Sequence, residues 1–225
     1  MFPLKTLIQG EFARLACLMF ALQLAVPVYG ATWETVFEEG GVTVQRRPYR
    51  DSPLMEMKGE VRVASSLNAL MALLKDADFN RHWVYRSGGA RILSESGYRQ
   101  AYVYGVVDAP WPLQDRDTVV RFDYSQELAT REIIITITNF PEYIPAEPGL
   151  VRVPDFGGFW RLRPLPTGEV DVTYQVRGDP GGWVPVWIAN YAAAVSVTRT
   201  LQNLPHVVGR YQGASSDLVR ELEVH

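Results

Sequence analysis

Residues able to do chemistry are few in this chain, and the densest group is Asp115-Arg116-Asp117, an acid-base-acid triplet between "DAPWPLQ" and a β-forming run. A guanidinium flanked by carboxylates can hold an anionic headgroup or serve catalysis. It can equally fix a corner of the chain, because its five donors in a rigid fork suit backbone carbonyls and a carboxylate. The structural use is the expectation for Arg116 and Asp117, and Trp111 is expected as a packing anchor rather than a ligand contact. The remaining candidates are sparse. His82, His206 and His225 share no spacing that points to a metal site. No Gly-x-Ser-x-Gly elbow occurs, and "GDPGG" at 178–182 lacks the Lys-Ser/Thr of a phosphate loop. No catalytic residue, metal or cofactor is therefore expected.

The chain has 225 residues and is 47% apolar, enough for one good core, so one domain is expected. Residues 1–30 read as a signal peptide: Lys5 and Arg14, the apolar run Leu15 to Val26, then Pro27 and the small residue Gly30, after which cleavage is expected. An uncleaved anchor is the alternative, although the run falls short of the ~20 residues of a membrane span. Cys17, the only cysteine, lies at the beginning of that run rather than after it, which argues against a lipid anchor and leaves the mature chain without a thiol. Removing residues 1–30 takes Lys+Arg from 22 to 20 and Asp+Glu from 25 to 24, giving a net charge of −4. That sign argues against a nucleic-acid partner held through phosphates. The location expected is periplasmic or secreted. The division expected is a signal peptide at 1–30, a domain at 31–215 and a tail at 216–225.

The elements that must position the triplet are mostly strands. "LMEMKGEVRV" alternates, with Met55, Met57, Val61 and Val63 on one face and Glu56, Lys58, Glu60 and Arg62 on the other. "YRQAYVYGVV", "DTVVRFDYSQ", "REIIITITNF", "GFWRLRPL" and "EVDVTYQVR" repeat the signal between Gly, Pro and Asp turns. A helix with Ser66 as N-cap is expected from Leu67, followed by a second short helix over Asp76 to Trp83. A long C-terminal helix begins near Pro185, its apolar stripe read as Val184, Trp187, Ile188, Tyr191, Val195, Leu201, Leu204 and Val208, with a kink near Leu201 from Pro205. Six or more antiparallel strands with one apolar face need a cover, and this helix is the long amphipathic element available. The fold class expected is α+β, a curved antiparallel sheet gripping a helix.

Four segments in order resemble the START (StAR-related lipid transfer) family: "WETVFEEGGVTVQRR", "PWPLQDRDTV", "GLVRVPDFGGFWRLRPL" and "GDPGGWVPVWIANYAAA". The first is similar to the family's short helix followed by Gly-Val-x-Val. The match runs from about Trp33 to Tyr211. The resemblance implies the helix-grip fold, with a tunnel between helix and sheet that holds one hydrophobic molecule, usually a lipid or sterol, for transfer rather than chemistry. It implies a monomer that touches membranes transiently. An aromatase/cyclase-like enzyme using the same cavity is the alternative.

Candidate ligand-binding residues follow. Val120 and Phe122 share a strand face, and the resemblance aligns Phe122 and Val103 with positions where sterol-carrying relatives tend to be charged, so the tunnel here is expected to be more apolar. Val103, Val120 and Phe122 line it, or else form ordinary dry core. Trp187, Tyr191 and Val195 face inward by periodicity and touch ligand or core.

Overall fold

The computed structural model describes residues 32–216 and 219–222. The signal segment, its cleavage position and Cys17 lie outside the described residues, as does part of the tail. The chain divides into two units, Met1–Thr32 and Trp33–His225, and the second is described here.

Ten strands form one sheet: β1 (Glu34–Glu39), β2 (Val42–Tyr49), β3 (Ser52–Val63), β4 (Ser87–Ser96), β5 (Gln100–Val107), β6 (Arg116–Gln126), β7 (Ile133–Asn139), β8 (Val151–Arg152), β9 (Asp155–Pro164) and β10 (Val170–Asp179). Their spatial order is β1-β2-β3-β10-β9-β7-β6-β5-β4, antiparallel throughout, and the two-residue β8 pairs parallel with β6. Among the described residues two α-helices accompany them, α1 (Leu67–Lys75) and α2 (Val186–Val207). This is the sheet and closing helix expected from the alternation.

The first segment departs from expectation. Residues 34–39, likened to a short helix, form β1 and pair with β2. Gly40 and Gly41 both have positive φ, 61° and 77°, which is what a two-residue hairpin turn demands. Thr35, Val36 and Phe37 then favour the extended backbone that the turn offers. The second short helix shrinks to a 3-10 turn at Asn80–His82, introduced by Asp76, whose carboxylate accepts from Phe79 N at 2.8 Å. Ser66 caps α1 as expected, accepting from Ala69 N at 3.1 Å.

Register assigns the faces. Val170, Val172, Tyr174 and Val176 lie opposite Val63, Val61, Gly59 and Met57 of β3, and opposite Pro164, Leu162, Trp160 and Gly158 of β9. Directly opposed residues share a face, so these positions make one continuous inner surface. α2 presses on it where β3 has no side chain: a Cβ on Gly59 would stand 2.6 Å from Val197 Cγ1 and closer still to Leu201. Asn190 fixes the other end of the helix, accepting from Met55 N at 2.8 Å and donating to Pro53 O at 3.2 Å. The helix runs through Pro205 to Val207 and continues as a 3-10 turn, Val208–Tyr211.

The buried face of α2 corrects the expected stripe. Leu201, Leu204 and Val208 are buried as expected, but upstream the sheet meets Asn190, Ala193, Ala194 and Val197. Trp187 and Tyr191 are 72% and 69% exposed. Close approach at Gly59 and the Asn190 bonds rotate small and polar residues inward, and the large aromatic rings are left on the outside.

Candidate ligand-binding site

The turn before β6 is built by Asp115 and Asp117 more than by Arg116. Asp115 accepts from Ala109 N at 2.8 Å, closing the loop that contains Pro110-Trp111-Pro112. Asp117 has no exposed surface and receives two bonds from Arg152, Nε to Oδ1 at 3.0 Å and Nη2 to Oδ2 at 2.9 Å. Arg152 also donates to the carbonyls of Pro141, Ile144 and Pro145. That bond to Asp117 raises the Arg152 pKa further above its ordinary range. Arg116 is buried and donates to Gln114 O, with no carboxylate partner among the described residues. The guanidinium-carboxylate clamp expected at Arg116 is therefore made by Arg152, a residue 35 positions away that spacing alone does not reveal. Trp111, expected as a packing anchor, is 92% exposed because the closed loop carries its ring outward.

The inner face continues across the other half of the sheet. Ile137 lies opposite both Gly158 and Phe122, Ala101 opposite Phe122, and Val103 opposite Val120. Val103, Val120 and Phe122 thus occupy one inner patch over β5 and β6. Against β2 and β3 the inner residues are sealed: Val42, Val44, Met57, Val61 and Val63 are buried. On the far half, Val103, Phe122, Tyr124, Phe156 and Tyr174 stay only partly buried, as do Ala193, Ala194 and Val195 of α2. Tyr174 stacks on Trp160 at 3.9 Å between centroids, and Trp83 meets Trp160 at 6.1 Å. Burial alone pushes the Tyr174 hydroxyl well above the ordinary tyrosine range, although the residue keeps reachable surface.

Segment 83–85 is tied to α2. Asn203 Nδ2 donates to Trp83 O at 2.8 Å, and Tyr85 N donates to Thr200 Oγ1 at 3.1 Å. Trp83 Nε1 is buried with no hydrogen-bond partner among the described residues. Sequence reasoning gave no role to Trp83 or Trp160; both are buried, and their ring contact joins segments too far apart for local spacing to reveal. Tyr174 falls in the alternating run "EVDVTYQVR" read as a strand, but alternation does not mark it as the accessible member of its face.

One end of the molecule concentrates exposed aromatics. Trp183 is 85% exposed, alongside Trp111, Trp187 and Tyr191. Two loops meet there over β8. Val151 N bonds Asp115 O at 2.9 Å, and a Cβ on Gly181 would stand 3.1 Å from Val151 Cγ1. The loop bearing Trp111 and the lead-in to α2 bearing Trp183 are thus neighbours.

Among the described residues no group of His, Cys, Asp and Glu is arranged to hold a metal ion. His82 packs on Phe79 at 5.0 Å between ring centroids, and His225 lies outside the described residues.

No family model matches the chain. It is similar to an uncharacterized protein of Pseudomonas aeruginosa, 30% identical over 188 residues that cover 80% of this chain and 92% of the other. It is also similar to a phosphatidylcholine transfer protein of Rattus norvegicus, 25% identical over 188 residues, covering 81% and 86%. Among solved structures, a STAR-related lipid transfer protein from Xanthomonas axonopodis superposes with a TM-score of 0.73 at 32% identity, covering 79% of this chain and 98% of that one. Human StAR-related lipid transfer protein 5 gives a TM-score of 0.71 at 21% identity, covering 91% and 96%, a likeness of fold alone.

Proposed function

The chain belongs to the START (StAR-related lipid transfer) family, and on that premise we propose that it binds and transfers a lipid or another hydrophobic small molecule held between α2 and the inner face of the sheet. The observation that carries this reading is the apolar inner patch around buried Val120, where Val103, Phe122 and Tyr174 stay only partly buried while Val42, Val44, Met57, Val61 and Val63 are sealed. An apolar interior suffices for affinity. A ligand burying about 400 Å² of apolar area gains about 10 kcal/mol at ~25 cal/mol per Å². Association and ordering take back about 4 kcal/mol or more, which leaves reversible binding.

In this reading the protein acts as a carrier rather than an enzyme, and it works as a monomer. Contact with membranes runs through the aromatic end, where Trp111, Trp183 and Trp187 present amphipathic rings suited to a lipid headgroup layer. The chain is exported and residues 1–30 are removed, so the intact mass of the extracytoplasmic form should begin at Ala31. The direct test of the binding reading is native mass spectrometry of the purified protein, followed by organic extraction. A stoichiometric adduct that extraction releases is expected. A chain that carries no adduct and takes up none from mixed lipids would sink the reading.

A further inference from the structure

A second concavity lies at the opposite end of β6 from the aromatic loops. β6 has 11 residues, and at ~3.4 Å per residue the two ends stand about 34 Å apart. The cleft there measures about 430 Å³, inside the ~300–1,000 Å³ range of small-molecule sites. Its wall is apolar, with Met71 and Ile133 buried and Tyr124 half-buried. Its rim is basic: Lys75, Arg99 and Arg220 all line it.

None of these three cations is in an ion pair among the described residues. Lys75 Nζ stands 4.7 Å from the centroid of the Tyr124 ring, and Arg99 Nε donates to Tyr98 Oη at 3.0 Å. Of the described carboxylates near by, Glu221, Asp123 and Asp76 are engaged elsewhere, while Glu95 makes no hydrogen bond or ion pair among the described residues. Glu221 accepts from Leu67 N at 3.0 Å and Asn68 N at 2.8 Å, at the start of α1. Asp123 holds Arg121 and Gln100, and Asp76 holds Tyr211 and Phe79. Glu95 acts on Tyr124, whose hydroxyl is pushed upward first by burial and then by that charge. Arg220 is held in place by its backbone, with Gln126 Nε2 donating to its carbonyl at 2.7 Å and its N donating to Gln126 Oε1 at 3.0 Å.

We propose that this cleft is a second binding site, for a single-chain anionic amphiphile. Its carboxylate or phosphate sits among Lys75, Arg99 and Arg220, and the first methylenes of its tail lie on Met71, Ile133 and Tyr124. A basic rim over an apolar wall discriminates by head charge, because charge-assisted hydrogen bonds to an anion are the strong ones. The cleft shares Tyr124, whose ring lies 6.4 Å from that of Phe122, with the inner face under α2, so the test reads methyls of the two sites separately.

The test uses the full mature chain with methyl-labelled Met, Ile and Val. Four 12-carbon probes are titrated below their micelle concentrations: dodecanoate, dodecyl phosphate, dodecanol and dodecyltrimethylammonium. Both anions should shift the Met71 and Ile133 methyls, more weakly as salt rises. A variant carrying Lys75→Gln, Arg99→Gln and Arg220→Gln should bind the anions about tenfold more weakly or worse, with dodecanol unchanged. Arg220→Gln alone, which keeps both backbone bonds to Gln126, should give a smaller loss in the same direction and serves if the triple variant melts early. Tighter dodecyl phosphate than dodecanoate would identify a phospholipid-type head, and the reverse a free fatty acid. Equal affinity for dodecanol and the anions, shifts confined to Val103 and Ile137, or unchanged anion binding in both variants would overturn the proposal. So would rim-dependent binding to anionic vesicles without any shift from the monomeric anions.

Discussion

Phe122 and Asp117 sit close together on β6, and substitutions at the two should have opposite consequences. Phe122 is on the inner face with Val120 and opposite Ile137. Phe122→Arg places a charge where no carboxylate faces it, at a cost of several kcal/mol unless water enters. Binding of a fluorescent fatty-acid or phospholipid probe should fall at least tenfold, to about 10% of the wild-type affinity or less, while circular dichroism still reports the sheet. Phe122→Leu keeps an apolar wall and should change ligand size preference more than fold. Equal probe affinity in a folded Phe122→Arg protein would remove this patch from the site. Asp117→Asn acts on stability instead. It leaves the Arg152 guanidinium buried without its counter-charge, and breaking such a pair costs about 3–5 kcal/mol. At about 2–4 °C per kcal/mol for a domain of this size, Tm should drop by about 10 °C. Arg116→Ala removes one bond to a carbonyl and should cost clearly less. A thermal melt in which Arg116→Ala matched Asp117→Asn would return the clamp to Arg116. The sequence could show that the triplet fixes a corner, but not which of its members does so. That choice depends on Arg152 arriving from another loop, and long-range pairing leaves no mark in local spacing.

The strands show how far periodicity reaches. β3, β5, β6, β7, β9 and β10 were legible because each alternates with a period of two against a single core. β1 was not, because Glu34–Glu39 forms a strand only through its hairpin partner and the two glycines between them. α2 was legible as a helix and misread as a face. Apolar size predicted Trp187 and Tyr191 inside, but the inner surface of a helix pressed on a glycine is made of whatever is small enough to approach. The contact at Gly59 therefore carries a prediction at this scale. Gly59→Val would drive methyl groups into Val197 and Leu201, and overpacking of this kind costs about 1–3 kcal/mol. The helix should lift from β3, lowering Tm by several degrees and speeding probe dissociation in stopped-flow displacement. If stability falls while the dissociation rate stays fixed, the grip of α2 on the sheet does not control the ligand's exit.

At the scale of the whole molecule, the placement of apolar surface is the unresolved question for a carrier, because a protein that hides a hydrophobic ligand has little reason to expose tryptophan. Three of its six tryptophans are nevertheless strongly exposed, and the loops bearing two of them meet over β8. Local packing does not require them, since the Trp111 loop is closed by Asp115 and the start of α2 is held by Asn190. The membrane contact proposed above would account for them. Each ring burying roughly 100 Å² at an interface gains about 2 kcal/mol, so three together bring membrane affinity into a useful range without a permanent anchor. The side chains of Trp111, Trp183 and Trp187 make few contacts to lose. A Trp111→Ser/Trp183→Ser/Trp187→Ser variant should keep the wild-type melting temperature within a few degrees and still bind a soluble short-chain probe. Its partition onto neutral phosphatidylcholine vesicles should fall by a factor of about ten or more per tryptophan removed, and lipid transfer between vesicles should slow in parallel. Vesicle sedimentation and a donor-acceptor transfer assay measure the two quantities separately. Lost vesicle binding with unchanged transfer would mean that the ligand leaves by another route, and unchanged vesicle binding would take the membrane away from this end of the molecule altogether.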